Sequence, residues 1–311
     1  MGGEAQPHNL LDRFLGNQPL VLAILLLVDS LHLVFARLLT PYLPPVTAAL
    51  YVLGVAFVEI AVVMGWRGMI RWSVFHRHRL FFLTIGFLVA LATTLSYTAV
   101  HYIDPGTASL ISKTYTLFAL ALSVFWLRER FHWRAWLGAG IAVAGTFVIS
   151  FQPSDLLQLG TLFVLGSNFA YALHAAVTKR YGDEIEFANF FLFRVGSTAL
   201  FLFIFMAGQA EWAWPGWQAW GILLIAGTVD VVISRILYYL ALRRLQMSLH
   251  SIILTITPVV TILWTWLLFD TLPTLQSAVG GAGVILGVLI VTTSKQQRMQ
   301  LLHAAEKGRK R

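Results

Sequence analysis

The sequence predicts an all-α integral membrane protein of ten transmembrane helices, arranged as two inverted five-helix repeats with cytoplasmic N and C termini. Three observations predict this fold: an apolar composition, ten runs of spanning length, and a one-sided distribution of basic residues. Of the 311 residues, 58% are hydrophobic and 12% are charged, whereas soluble domains carry roughly 25% charged residues. The chain has no cysteine, which excludes disulfides, thiolate catalysis and Cys-based zinc sites.

Ten apolar segments are long enough to cross a bilayer, which takes about 20 residues as a helix. Helices are favoured because each backbone amide in lipid must be satisfied within its own segment. The segments, called spans 1 to 10 below, cover residues 19–39, 44–64, 80–100, 105–127, 133–151, 158–178, 187–208, 217–241, 247–269 and 274–293. They divide the chain into an N-terminal segment (1–18), a first repeat (19–151), a second repeat (158–293) and a basic tail (294–311).

The distribution of lysine and arginine predicts the orientation of the spans. With a cytoplasmic N terminus, one residue of the 22, Arg37, falls on the outer side, near the end of span 1. Eighteen fall on the cytoplasmic side: Arg13, Arg67, Arg71, Arg77, Arg79, Arg128, Arg130, Arg134, Lys179, Arg180, Arg243, Arg244, Lys295, Arg298, Lys307, Arg309, Lys310 and Arg311. This bias follows the positive-inside rule. It also accounts for the net charge of +8 through anionic lipid, so no nucleic-acid partner is predicted.

An internal repeat relates the two halves of the chain. An offset of 142 residues pairs His32 with His174, Tyr97 with Tyr239, and Gly145 with Gly287. Because each half contains five spans, an odd number, the second half must insert in the opposite orientation. Secondary transporters are commonly built from such inverted repeats, with the substrate site near the midplane between them.

Polar residues follow the same symmetry. Spans 1, 3 and 4, and their counterparts 6, 8 and 9, each carry polar side chains along one helical face. Spans 5 and 10 instead have glycine-rich faces (Gly138, Gly140 and Gly145; Gly280, Gly281, Gly283 and Gly287), which suit close packing of helix backbones. We therefore expect six spans to enclose a polar cavity.

The candidate substrate-binding residues are the polar groups predicted near the middle of these spans: Lys113, Asp29, His32, Tyr97, His174, Asp230, Arg235 and Tyr239. Lys113 lies about eight residues, or roughly 12 Å, into span 4, and Asp29 reaches a similar depth from the other side. Two roles for Lys113 are compatible: a structural pair with Asp29, or a cation that holds a carboxylate or phosphate of the substrate. The alternative is that the side chain snorkels to the outer surface.

Asp230 has Arg235 and His174 as candidate partners. The five-residue spacing to Arg235 places the two side chains far apart around the helix, which favours a partner on another helix. Asp230 is interpreted as a structural partner, as a site for a substrate amine, or as a protonation switch. His32 and His174 are packing residues or proton carriers. Arg194 and Glu59 are predicted nearer the cytoplasmic ends of their spans, in structural roles.

Several short stretches carry a family resemblance. They are LSYTAVHYIDPGTASLI and FWLRERFHWRAWLGAGIAVAG in the first half, and LYYLAL, SIILTITPVVTILW and AVGGAGVILG in the second. Over about residues 19–293 the chain resembles the drug/metabolite transporter superfamily, in its ten-helix branch of two EamA-type repeats. Glu129 and Pro258 match an acidic residue and a proline of that pattern, whereas Thr116, at the first-repeat counterpart of Pro258, and Lys113 depart from it.

The resemblance implies a carrier in a bacterial inner membrane, often an exporter of amino acids or related metabolites, that works by alternating access without ATP. The sequence contains no GxxxxGK[ST] loop, which agrees with that mechanism. The predicted solute is small, polar and zwitterionic or anionic, with protons as a candidate coupled ion. We predict no enzyme activity and no cofactor. A channel, a membrane-embedded enzyme and a receptor are the alternatives, and the choice between monomer and homodimer stays open.

Overall fold

The computed structural model describes residues 18–126, 133–150, 159–182, 184–209, 212–238 and 256–309. Within these ranges the chain is helical and contains no strand. The helices are α1 (Gln18–Asp29), α2 (His32–Leu39), α3 (Pro45–Trp66), α4 (Trp72–Arg77), α5 (Arg79–Ala99), α6 (Pro105–Ser112), α7 (Tyr115–Phe125), α8 (Trp133–Ser150), α9 (Leu159–Tyr181), α10 (Phe187–Gln209), α11 (Trp217–Tyr238), α12 (Thr257–Phe269) and α13 (Leu275–Arg309).

Five of the described helices are long and apolar enough to cross a membrane: α3, α5, α9, α10 and α11. Shorter apolar stretches lie in α8, α12 and α13. Large aliphatic side chains are exposed along the long helices, for example Val62 of α3 at 64% and Leu224 of α11 at 51%. Contiguous exposed apolar surface of this kind suits contact with lipid rather than water.

The observed helices follow the predicted spans closely at four positions and depart from them at others. Helices α3, α5, α9 and α10 begin and end within three residues of spans 2, 3, 6 and 7. Span 1 is divided between α1 and α2, and span 4 between α6 and α7, where continuous helices were predicted. Helix α13 continues beyond the predicted end of span 10 as far as Arg309. Residues 239–255, which include the end of span 8 and the start of span 9, lie outside the described ranges.

Helices α8 and α13 pack with their backbones in contact, as their glycine faces predict. A Cβ atom added at Gly138 would lie 2.7 Å from the carbonyl oxygen of Gly287, and one at Gly145 would lie 2.6 Å from that of Gly280. No side chain fits into these spaces without a shift of the backbone. The prediction that these glycine faces pack closely is therefore confirmed, and the structure shows that they pack against each other.

Contacts between connecting segments define two ends of the helix bundle. At one, called the basic end, the backbone N–H of Arg71 donates to Asn189 Oδ1 at 2.9 Å, and Arg71 Nη1 lies 3.4 Å from Glu186 Oε2. These contacts join the α3–α4 connection to the start of α10. At the other, called the opposite end, the Asp104 carboxylate accepts from the Thr107 N–H at 2.8 Å and caps α6. Arg37 Nη1 donates there to the Val100 carbonyl, next to the end of α5.

Candidate functional site: a charged cluster at interrupted helices

The junction of α1 and α2 places two titratable residues on either side of a tightened turn. Asp29 ends α1, His32 begins α2, and the Leu31 N–H bonds to the Val28 carbonyl three residues earlier. The Ser30 hydroxyl donates to the Leu27 carbonyl at 2.8 Å, a local bond that competes with regular helix. Helix α12 supports the turn, because Thr261 Oγ1 donates to the Ser30 carbonyl at 3.1 Å. Trp264 Nε1 donates to Ser30 Oγ, also at 3.1 Å.

The junction of α6 and α7 is a second interruption, and Lys113 occupies it. The N–H groups of Lys113 and Thr114 bond to the carbonyls of Leu110 and Ile111, each three residues earlier, which is 3₁₀ geometry. The buried Asn168 amide of α9 donates to Ile111 O at 3.2 Å and to Thr114 Oγ1 at 2.9 Å. A short 3₁₀ stretch inside a helix often marks a hinge.

The third irregularity is a π-helical turn, Gly227–Ile233, within α11. It contains Asp230, whose side chain is 2% exposed. Thr228 in the same turn donates to Glu59 Oε1 of α3 at 2.6 Å, so Glu59 has a structural hydrogen-bond partner. Single π turns frequently occur at functional sites.

Two acid–base contacts join the α1–α2 junction to α11. His32 Nδ1 lies 2.7 Å from Asp230 Oδ2, and Arg235 Nη2 lies 3.8 Å from Asp29 Oδ1. Ser234 Oγ also donates to Asp29 Oδ1, at 3.3 Å. The basic group of each element therefore contacts an acidic group of the other. Such pairing reduces the cost of taking charged groups out of water.

Tyr97 and Lys113 complete this set of residues. The Tyr97 ring meets the His32 ring edge-on, with 5.9 Å between centroids, and the Asp29 carboxylate acts electrostatically on the Lys113 ammonium. Two buried polar atoms, Tyr97 OH and Asp230 Oδ1, have no hydrogen-bond partner among the described residues. We call Asp29, His32, Tyr97, Lys113, Asp230 and Arg235 the central cluster.

The remaining predicted site residues lie beside the central cluster or outside the described ranges. His174 of α9 lies one turn from Tyr171, with 6.5 Å between their rings, and Tyr171 OH is 3.2 Å from Thr93 Oγ1. Buried His174 Nε2 has no hydrogen-bond partner among the described residues. The charged groups that act on this ring are Arg194 and Arg235. Tyr239 falls outside the described ranges.

The structure corrects one predicted partner and adds residues that sequence reasoning missed. Asp230 contacts His32, whereas His174 Nε2 has no hydrogen-bond partner among the described residues. Arg194, predicted to snorkel or to pair structurally, acts electrostatically on the partly buried His174. Ser30, Asn168 and Ser234 went unnoticed because single small polar residues are common in apolar helices. The Asp-Ser pair at 29–30 was the available signal, since such residues favour local side-chain bonds.

At the opposite end, Arg37 has a second neighbour in the turn that follows α5. Burial lowers the pKa of His101, and the positive charge of Arg37 lowers it further. In the described part of the chain no group of three or more His, Cys, Asp or Glu residues could hold a metal ion.

Comparisons with known proteins identify a family and several relatives named as transporters. The model of the EamA-like transporter family matches residues 19–151 and 158–293. The chain is 24% identical over 217 residues to the uncharacterized transporter YdfC of Bacillus subtilis, covering 66% of this chain and 69% of that protein. It is 27% identical over 198 residues to an uncharacterized transporter of Archaeoglobus fulgidus, covering 62% and 70%.

A third relative and a solved structure extend these findings. The chain is 23% identical over 225 residues to the uncharacterized transporter sll1164 of Synechocystis, covering 65% of this chain and 61% of that protein. A crystal structure of another protein superposes with a TM-score of 0.63 at 19% identity, over 89% of this chain and 97% of that one. This last similarity shows a shared fold.

Proposed function

Because the chain belongs to the EamA-like transporter family, within the drug/metabolite transporter superfamily, we propose that it is a secondary transporter of a small polar organic solute. The solute is an amino acid or related metabolite, zwitterionic or anionic, and moves by alternating access. The observation that carries this proposal is the central cluster. Charged groups inside apolar helices are costly and commonly mark a transport pathway.

The composition of the central cluster supports this class of solute. Lys113 and Arg235 are suited to a carboxylate or phosphate, and Asp29 is suited to an amine. Asp230 Oδ1 and Tyr97 OH are buried polar atoms without a described partner, and such atoms normally find one. A zwitterion would supply both a donor and an acceptor to these groups.

The proposed topology has ten spans in two inverted halves, residues 19–151 and 158–293, in a bacterial inner membrane with both termini in the cytoplasm. Its support is the 142-residue sequence offset and the location of the basic residues. The basic end of the bundle, which contains Arg67, Arg71, Lys179 and Arg180, is then the cytoplasmic end. Monomer and homodimer both fit this arrangement.

The proposed cycle uses the two contacts between the α1–α2 junction and α11. Solute that binds Asp29 or Arg235 would replace their mutual contact, and its binding energy would shift the balance between two conformations. The His32–Asp230 pair could exchange a proton in the same step, because histidine titrates near neutral pH. The proposed direction is export or exchange.

A transport assay with Lys113→Ala tests the proposal. The substrate is first identified by a thermal-shift screen of amino acids, nucleosides, phosphosugars and polyamines. Proteoliposomes of the wild type should then show saturable counterflow of the labelled solute. We expect at least about a tenfold loss in Lys113→Ala, since a charge-assisted hydrogen bond contributes roughly 1.5–3 kcal/mol.

Lys179→Ala is the matched control, because Lys179 is an exposed lysine at the basic end and its removal should leave counterflow intact. Normal counterflow by a folded Lys113→Ala variant would refute the role of Lys113. Non-saturable flux would favour a channel, and release of a chemically altered product would favour an enzyme.

A further inference from the structure

One hydroxyl group, that of Thr228, joins α3 to the π turn of α11. Thr228 Oγ1 lies 2.6 Å from Glu59 Oε1 of α3 and 2.8 Å from the carbonyl oxygen of Leu224, one turn earlier in α11. Both distances are those of hydrogen bonds. The two helices are in close contact beside this site, because a Cβ atom added at Gly227 would lie 2.6 Å from Val55 Cγ1.

The hydrogen bonds available at Thr228 differ between the two charge states of Glu59. A hydroxyl has one hydrogen to donate, whereas a carboxylate and a carbonyl can only accept. If Glu59 is ionised, the two acceptors compete for that one hydrogen. If Glu59 is neutral, its O–H donates to Thr228 Oγ1 and the Thr228 hydroxyl donates to the Leu224 carbonyl. The neutral acid therefore makes both short contacts full hydrogen bonds.

Glu59 also lies on a face of α3 where a charge is costly. Val62 and Val63, one turn further along the helix, are exposed apolar residues, and residues at this spacing share a helix face. Glu59 is seven residues before Trp66, the last residue of α3, which places it about 10 Å inside that end. Contact with lipid at this depth disfavours the carboxylate more than the neutral acid.

No ion pair offsets a negative charge at Glu59 within the part of the chain that the structure describes. On α10, Arg194 lies at a similar level, because Gly196 packs against Phe57, and its charge favours the ionised form. On α11, Asp230 follows Thr228 by two residues, and its charge favours the neutral form. The titratable and charged residues of the helices that pack against α3, namely α2, α5, α10 and α11, are His32, Arg37, Arg79, Tyr97, Arg194, Asp230, Arg235 and Tyr238.

We propose that Glu59 is a proton-binding site, held as a neutral carboxylic acid where α3 meets the π turn of α11. The bound proton completes the hydrogen bonds of Thr228 and removes a charge from the lipid-facing surface. A neutral acid in this position is also a site of covalent modification by apolar carbodiimides, which enter lipid and react with protonated carboxyl groups. The inference goes beyond the proposed transport function and does not rest on it.

Infrared spectroscopy of the full-length protein in liposomes reads the charge state of Glu59. In neutral buffer, we expect the wild type to show a C=O band of a neutral carboxylic acid that Glu59→Gln lacks. Glutamine is the suitable replacement, because its amide N–H can donate to Thr228 Oγ1 as the acid O–H does. A carboxylate band in place of the acid band would overturn the proposal.

Thr228→Val tests whether this hydroxyl is the partner of the neutral acid. We expect the acid band to shift, because the Glu59 O–H loses its acceptor. Thr98→Val is the matched control: the Thr98 hydroxyl donates to the Thr94 carbonyl within its own helix, so its removal should leave the band in place. An acid band that Thr228→Val leaves unchanged would contradict the proposed contact. The wild type and Glu59→Gln decide the question if Thr228→Val does not fold.

Modification by N,N′-dicyclohexylcarbodiimide is the second test. The acid hydrogen moves to a nitrogen of the reagent, the carboxyl oxygen bonds to its central carbon, and acyl transfer to nitrogen then gives a stable N-acylurea. Because no group leaves, peptide mapping by mass spectrometry should find Glu59 heavier by one whole reagent molecule after reaction in neutral buffer. Alkaline buffer should decrease this labelling, since the ionised group has no hydrogen to transfer. Glu59→Gln should lose it.

Two carboxyl groups serve as controls for the labelling. Val62→Glu in a Glu59→Gln background places an acid on the same exposed face and should be labelled. Glu186, whose side chain is 50% exposed at the basic end, reports a water-facing carboxylate and should stay unlabelled. An unlabelled Glu59 beside a labelled Val62→Glu control would overturn the proposal, as would equal labelling of Glu59 and Glu186. Solute counterflow by a wild type with ionised Glu59 would refute this inference and leave the transport proposal standing.

Discussion

The Asp230 carboxylate is 2% exposed and contacts His32, whose side chain is 27% exposed. Removal of one member of a buried pair is costly because the other charge is left without compensation. An exposed pair behaves differently, since water solvates both charges and screens their attraction. His32–Asp230, inside the bundle, is an example of the first kind, and Arg71–Glu186, at the basic end, is an example of the second.

A double-mutant cycle of His32→Gln and Asp230→Asn should therefore show strong coupling. We expect each single variant to lower the free energy of unfolding by about 1–3 kcal/mol, and the coupling energy to be about 1–3 kcal/mol. Unfolding by sodium dodecyl sulfate titration of the purified protein measures these values. The matched cycle of Arg71→Gln and Glu186→Gln should give a coupling of about 0–1 kcal/mol. Additive effects at His32 and Asp230 would contradict the pair.

Three helical elements lose regular α geometry where they carry titratable residues. Asp29 and His32 flank the α1–α2 turn, Lys113 occupies the α6–α7 turn, and Asp230 lies in the π turn of α11. Irregular backbone within a membrane is tolerated where neighbouring groups satisfy the freed carbonyls. Thr261 performs this role for Ser30, and Asn168 performs it for Ile111.

Asn168→Ala tests the support of the α6–α7 turn. The substitution leaves the Ile111 carbonyl and the Thr114 hydroxyl without the Asn168 donor. We expect a loss of about 1–3 kcal/mol in unfolding free energy and reduced solute counterflow, since Lys113 would be held less firmly. Ser112→Ala is the control, because that hydroxyl donates only to the Ala108 carbonyl within its own helix. Equal stability of the two variants would show that Asn168 does not support the turn.

Gly287→Ala tests the contact between α8 and α13. A Cβ atom at Gly287 would lie 2.4 Å from the Gly138 carbonyl oxygen and 2.5 Å from the Ala142 nitrogen. The helices must separate to admit it, which we expect to cost about 1–3 kcal/mol. Gly140→Ala is the matched control: its Cβ atom meets nothing within 4 Å, and alanine favours helix over glycine by roughly 1 kcal/mol. A melting temperature of Gly287→Ala at or above that of the wild type would contradict the packing.

At the scale of the whole molecule, the proposed orientation predicts which connections face the cytoplasm. The chain lacks cysteine, so a single introduced cysteine reports its own location. In intact cells, a membrane-impermeant thiol reagent should label Thr271→Cys, between α12 and α13. It should label Glu184→Cys, between α9 and α10, only after permeabilisation. The reverse pattern would invert the topology, and labelling of both in intact cells would place the two connections on the same side.

Composition and hydropathy sufficed for much of the fold, because burial in lipid requires long apolar helices whatever their neighbours. The limits of α3, α5, α9 and α10 follow the apolar runs for that reason. The close packing of the glycine faces of α8 and α13 was also predictable, because glycine lets two helix backbones approach more closely than larger residues do. The helix interruptions at Ser30 and Lys113 could not be predicted from the sequence. No proline or glycine marks them, and the groups that support them come from distant parts of the chain.

The sequence by itself determined a helical membrane protein of the EamA type and the residues available for its centre, because hydrophobicity and residue chemistry are properties of the chain. Only the tertiary structure decided which of these side chains contact each other. Asp230 contacts His32, and Asp29 contacts Arg235. Side chains so far apart in the chain meet only through helix packing. For two given charges, the strength of the interaction depends on their separation and on the local dielectric, and packing sets both.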